Sequence, residues 1–111
     1  MPKLVWLKTE QDFQAFRLSK SFQTKLLKIR VHYSPNQNTP RFGFIIPKKV
    51  LPKVVDRNLL KRRIKSVLVK EGAKVKSVDI VFYPSKDLLK RTYAELDHEV
   101  KELFTKSHLW K

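Results

Sequence analysis

Residues 41–71 read RFGFIIPKKVLPKVVDRNLLKRRIKSVLVKE, and the hydrophobic period changes halfway along. In the first part Phe42, Phe44 and Ile46 fall at every second position, which predicts a strand over 41–46. Pro47-Lys-Lys-Val-Leu-Pro52 is a connector. Pro52 suits a place just before or in the first turn of a helix, where a missing N–H is no loss. Beyond it Leu60, Ile64, Val67 and Leu68 recur at helical spacing and form one core-facing stripe, predicting a helix over 53–71 that ends at Gly72. Asn58, Lys61, Arg62 and Lys65 cluster on the opposite, solvent side of that helix. No acid lies between Arg57 and Lys70 to pair with these cations within the helix. Asn58 is a poor helix former in this setting, which points to a hydrogen-bonding task for its amide.

Upstream, Leu27, Ile29, Val31 and Tyr33 alternate with Lys28, Arg30 and His32, predicting a half-buried strand over 27–33 whose second face is basic. Residues 34–40, with a proline near each end, read as a loop, so the two strands are expected to form an antiparallel hairpin. Thr9 is a candidate N-cap for a short helix over 10–18 that carries Phe13 and Phe16 on one side. These rings fit either a core or a platform for an unpaired nucleotide. Downstream, Val78, Ile80 and Phe82 mark a strand over 78–83, ended by Pro84. Thr92-Tyr-Ala-Glu95 has the pattern of a capping box, and a helix over 93–108 follows with Tyr93, Leu96, Val100, Leu103 and Phe104 at helical spacing. The chain reads as one α+β domain, residues 1–111, an α-β sandwich on one small sheet.

The formal charge is +15, and its distribution matters more than its size. Between Phe13 and Lys70 there are 15 basic residues and one acid, Asp56; the rest of the chain holds 10 basic and 9 acidic residues. Self-repulsion on this scale opposes folding, so a polyanionic partner is the simplest reason for it. Nucleic acid fits better than a membrane surface, because the basic residues do not ride on a long apolar face. With no cysteine there is no disulfide or thiolate site, and the cytoplasm is the expected compartment. No apolar run approaches a membrane span, and the first residues are too short and interrupted for a signal peptide. Two glycines exclude a glycine-rich phosphate loop.

Catalysis by the chain alone is not expected. Its acids are scattered, with no Asp-x-Asp pair in the basic region to hold Mg2+ for phosphodiester chemistry. Glu95, Asp97, Glu99 and Glu102 belong to a solvated helix face, and His32, His98 and His108 lack metal-ligand spacing.

Two blocks, Arg41-Phe-Gly-Phe-Ile-Ile-Pro-Lys-Lys49 and Val54-Val-Asp-Arg-Asn-Leu-Leu-Lys-Arg-Arg-Ile64 with Lys65 next, resemble the protein subunit of bacterial ribonuclease P. The opening Leu7-Lys-Thr-Glu-Gln-Asp-Phe-Gln-Ala-Phe16 is similar too, so the resemblance covers most of the chain. It implies the element order α-β-β-β-α-β-α on a mixed sheet. It also implies a left-handed βαβ crossover, where ordinary chain geometry favours the right-handed one. The implied partners are the ribonuclease P RNA, which would perform the Mg2+-dependent hydrolysis, and precursor tRNA, whose 5′ leader is removed; no protein oligomer is required. Carried over by motif, Arg57, Asn58, Lys61, Arg62, Arg63 and Lys65, with Lys48, Lys49 and Lys53 beside them, would contact RNA. Phe13, Phe16, Arg17, Lys28, Arg30 and His32 would line a cleft for the single-stranded leader. Leu59 departs from the motif's second arginine, and Pro52 stands near its usual glycine. The competing reading is a ribosomal or other structural RNA-binding protein without processing activity; a stand-alone nuclease is a third.

Overall fold

The computed structural model describes residues 5–6, 20–33 and 40–110. The expected helix over 10–18 lies outside them, as does most of the expected loop over 34–40. The described elements are β1 (Val5–Trp6), β2 (Lys20–Gln23), β3 (Leu27–Tyr33), β4 (Arg41–Phe44), α1 (Val54–Glu71), β5 (Val78–Pro84) and α2 (Tyr93–Lys106). Short 3-10 turns, Gly72–Lys74 and Lys86–Lys90, flank β5.

The strands form one mixed sheet in the order β1-β4-β5-β3-β2. β4 runs parallel to β1 and β5, whereas β3 runs antiparallel to β5 and β2. The expected hairpin of β3 with β4 does not form: β5 lies between them, pairing Ile29 with Phe82 on one side and Phe44 with Phe82 on the other. The physical reason lies in β5 itself. Val78 through Phe82 are all buried, so the strand needs cover on both faces and neighbours on both edges, and it takes the centre. The hairpin partner of β3 is β2, joined through a turn in which the Thr24 N–H donates to the Leu27 carbonyl at 2.8 Å. β2 is an edge strand with one half-buried apolar residue, Phe22, so its sequence carries almost no strand signal.

Both helices pack on one face of the sheet. α1 buries Leu60, Ile64, Val67 and Leu68, the expected stripe, and α2 buries Leu96, Val100, Leu103 and Phe104. Against them lie Leu27, Ile29 and Val31 of β3, Phe42 of β4 and Ile80 and Phe82 of β5. Phe82 is the hub, with ring centroids 5.5 Å from Phe44, 6.3 Å from Phe42 and 6.2 Å from Phe104. Gly72 keeps right-handed angles (φ −59°) and leads α1 into a 3-10 turn, so the glycine is not used there for a left-handed cap. α2 stops at Lys106, two residues short of the expected end. The Ser107 hydroxyl donates to the Leu103 carbonyl at 2.7 Å, and His108 turns left-handed at φ 57°. The turn folds Trp110 onto Phe104, edge to face at 5.4 Å, and pairs it with Val75.

The capping box of α2 is complete. The Glu95 N–H donates to Thr92 Oγ1 at 3.2 Å, and the Thr92 N–H donates to Glu95 Oε1 at 3.2 Å. The bond from the Thr92 backbone, then that from its hydroxyl, holds the Glu95 carboxyl below the usual carboxylate range. Thr92→Ala is expected to destabilise the fold by about 1 kcal/mol, read as a lower urea midpoint at unchanged slope. Because the Glu95 pKa is lowered on folding, its contribution is present above the unfolded value of 4.5 and is lost as pH falls through the folded one. The stability gap between the wild type and Glu95→Gln should therefore shrink on acidification; a gap that widens contradicts the assignment.

Candidate nucleic-acid interface

The buried stripe of α1 fixes which side of the helix faces out. Asn58, Arg62 and Lys65 are exposed and Lys61 is half-buried. Before the helix, Lys48, Lys49 and Lys53 are exposed along the connector, which turns where the Val50 N–H donates to the Pro47 carbonyl at 3.0 Å. Among the described residues, Lys48, Lys49, Lys53, Asn58, Lys61 and Arg62 make no hydrogen bond or ion pair through their side chains. Their donors are available to an outside acceptor, as phosphate recognition requires.

Arg57 and Arg63, which the motif also singled out, sit differently. Arg57 Nη1 donates to the carbonyls of Leu51 and Pro52 at 2.8 and 3.0 Å. Lys53 supplies no side-chain N-cap, so this guanidinium ties the connector to the first turn of the helix. Arg63 Nη1 donates to the Leu89 carbonyl at 3.0 Å and anchors α1 to the 3-10 turn after β5. Lys65 Nζ stands 6.0 Å from the centroid of the Phe44 ring. Val54 and Val55, 57% and 74% exposed, add apolar surface at the start of the helix beside the cations. Sequence reading passed over them; the available signal was that neither falls on the Leu60–Ile64 stripe.

The sheet face away from the helices carries the second basic group. Lys28, Arg30 and His32 of β3 project there, beside Asp79, Val81 and Tyr83 of β5. Asp79 is 1% exposed and lies level with Arg41 on one side and His32 on the other. Arg41 clasps it with two bonds, Nε to Oδ1 at 2.7 Å and Nη2 to Oδ2 at 2.6 Å, while His32 Nδ1 stands 3.8 Å from Oδ2. This carboxylate neutralises Arg41, with the His32 ring beside it. Lys28 and Arg30 instead lie over the Tyr83 ring, 5.8 and 6.0 Å from its centroid. Tyr83 was not singled out in the sequence, and its signal was non-local: it is the register partner of Lys28. Phe13, Phe16 and Arg17 lie outside the described residues.

The acids collect elsewhere, with lysines of their own. Asp97 meets Lys101 at 3.0 Å and Lys70 at 3.5 Å, and Glu71 meets Lys74 and Lys101, each at 3.4 Å. Burial works upward on the Asp97 pKa, but these lysines outweigh it and hold the carboxyl below its usual value. Lys70 is raised above the usual lysine range, first by its contact with Tyr93 and also by Asp97. Among the described residues, no group of three or more His, Asp or Glu side chains is placed to hold a metal ion, and no helix is long and apolar enough to cross a membrane.

A family model described as Ribonuclease P matches residues 1–108. The chain is 36% identical over 109 residues to the ribonuclease P protein component of Clostridium kluyveri, covering 95% of this chain and 96% of that protein. It is 31% identical over 113 residues to the same component of Bacillus pumilus, covering 100% and 94%. Among solved structures, the RNase P protein of Staphylococcus aureus superposes with a TM-score of 0.87 at 17% identity, covering 98% of this chain and 100% of that one. That of Thermotoga maritima gives 0.79 at 23% identity, covering 90% and 94%. These two structures bear on the fold, and the helix and strand order agrees with them.

The two kinds of arginine on α1 are expected to behave differently on mutation. Arg62→Ala should weaken RNA binding and flatten the salt slope by about one unit, with folding stability within about 0.5 kcal/mol of wild type. Arg57→Ala should lower the thermal midpoint as well, since two carbonyls lose their donor. An unchanged salt slope for Arg62→Ala would show that this face is merely solvated.

Proposed function

The chain belongs to the ribonuclease P protein family and is thus the protein component of an endoribonuclease; from that premise we propose how it serves the enzyme. It is a single RNA-binding domain, works in the cytoplasm without needing a protein oligomer, and acts as a cofactor to the ribonuclease P RNA. The RNA carries out the hydrolysis, with Mg2+ held mainly by the RNA. The substrate is precursor tRNA, and the protein contributes affinity for its 5′ leader.

The observation that carries this reading is the free donor set of Asn58, Lys61 and Arg62 on the outer side of α1, next to Lys48, Lys49 and Lys53. Cations one helical turn apart meet successive phosphates, and an amide among them adds a directional contact. The carboxylate chemistry of the described residues supports giving the hydrolysis to the RNA. Metal-assisted phosphodiester cleavage uses clustered carboxylates. Here Asp79 is clasped under Arg41, and Asp97 and Glu71 are tied to lysines where the end of α1 meets α2. The sheet face with Lys28, Arg30 and Tyr83 supports a second role. Cations around a ring suit an unpaired strand, which offers both phosphates and bases. A structural RNA-binding protein without processing activity finds no support in the relatives described above.

Reconstitution tests this reading. The purified chain, mixed with a bacterial ribonuclease P RNA at low Mg2+, is expected to accelerate removal of the leader from precursor tRNA. No acceleration would overturn the reading, and cleavage by the protein alone would move the chemistry from the RNA to the protein.

A further inference from the structure

α1 begins with an apolar step that the helix itself does not require. Val54 and Val55 are its first two residues, and they are 57% and 74% exposed. Pro52, exposed as well, comes just before. Valine is a weak helix former, and Lys53 supplies no side-chain cap, so neither propensity nor capping accounts for the pair. Neither residue belongs to the buried stripe of Leu60, Ile64, Val67 and Leu68, so the core does not account for it. A single exposed apolar residue is ordinary, but these two adjoin on a chain of net charge +15.

Cations lie on both sides of the pair. Lys48, Lys49 and Lys53 precede it, and Lys61 and Arg62 follow further along the helix. Among the described residues none of these side chains has a hydrogen bond or ion pair. Asp56, the acid of this turn, is half-buried where the helix dipole favours a negative charge. A polyanion is the partner that such a rim fits. The apolar step is also rigid. Arg57 Nη1 donates to the Leu51 and Pro52 carbonyls, which fixes the connector against the first turn. A β-branched side chain in a helix keeps essentially one rotamer, so a ligand has little left to order.

Chemistry narrows which part of an RNA can lie there. Methyl groups accept no hydrogen bond, so a phosphate or a ribose hydroxyl set on them loses water and gains nothing. The face of a base carries no such penalty. A duplex hides its base faces in the stack, whereas an unpaired nucleotide presents one. Asn58 lies four residues beyond Val54 and three beyond Val55, which makes it the neighbour of both one turn along. Its amide offers donors and an acceptor with no partner among the described residues, so it stands where the edge of a base on the valines would fall.

We propose that Val54 and Val55 seat the base of an unpaired nucleotide of the ribonuclease P RNA, with Asn58 at its edge and Lys53 and Arg62 on flanking phosphates. This seat rests on the function proposed above and adds to it an uncharged, base-directed contact. The leader is assigned to the sheet face that points away from α1, so the nucleotide on the valines belongs to the other RNA.

The test uses the full chain with Val54 and Val55 both changed to Ala, and measures affinity for ribonuclease P RNA over a series of salt concentrations. The expected result is a loss of about tenfold at every salt concentration, with the salt slope of the wild type. Alanine propagates a helix better than valine, so the thermal midpoint is expected to hold and unfolding cannot imitate the loss. Val55→Ile, which keeps the apolar surface, should bind like wild type. Acylation probing of the RNA 2′-hydroxyls locates the contact: wild type protects an unpaired position that the double variant leaves reactive, while the rest of the footprint is kept. Unchanged affinity, a changed salt slope, or a loss seen only for precursor tRNA that carries a leader would each overturn the proposal. A wild-type chain that does not bind ribonuclease P RNA overturns the functional reading and the seat with it. Wild-type binding that the double variant fully retains overturns the seat alone.

Discussion

Parallel neighbours cannot be joined by a tight turn, and the register that sets β4 beside β5 therefore forces the chain to cross back over the sheet. α1 makes that crossing, and its path has two consequences. To bury Leu60, Ile64, Val67 and Leu68 it must lie against the sheet, which leaves Asn58 and Arg62 facing out. The same register brings the ends of β4 and β5 to one edge of the molecule. β3 runs the other way, so its beginning arrives there too. Lys49, Lys86 and Lys25 each stand just outside a strand at that edge. The outer side of the helix and the basic end of the sheet are thus products of one topological choice.

Net charge overstates the surface available to RNA. Arg41 is held by a buried carboxylate, and Arg57 and Arg63 donate to backbone carbonyls. Lys70, Lys74 and Lys101 are paired with the acids of Glu71 and Asp97. In the Arg41–Asp79 pair only the carboxylate is buried, and losing the arginine would leave that charge uncompensated inside the sheet. Among the cations that remain, two groups stand out, one on α1 and its connector, the other on the sheet face.

Much of this was readable from local pattern. The stripe of α1, the alternation of β3 and the capping box at Thr92 each depend on residues a few positions apart, and each appears in the structure as expected. The partners of β3 and β4 were not readable, because alternation tells which face is buried and nothing about the neighbouring strand. β2 was missed because an edge strand needs little apolar character. At the site, the motif picked out the basic helix, but spacing does not tell which arginine also commits one guanidinium nitrogen to the backbone. Leu51, Pro52 and Leu89, which accept from Arg57 and Arg63, offer only carbonyl oxygens, and every residue has one. The surroundings of Tyr83 depend on contacts between distant segments, which no local signal encodes.

The central claim is that RNA covers the outer side of α1 with its connector and leaves the side of paired charges open. Lysine acylation footprinting tests it directly. Reactivity toward an amine-specific reagent is mapped by mass spectrometry for the free chain and for the complex with ribonuclease P RNA and precursor tRNA. The account predicts that Lys48, Lys49, Lys53 and Lys61 become protected while Lys74 and Lys101, paired with Glu71 and Asp97, keep their free-state reactivity. Uniform protection of all these lysines, or protection of the second group alone, would contradict it.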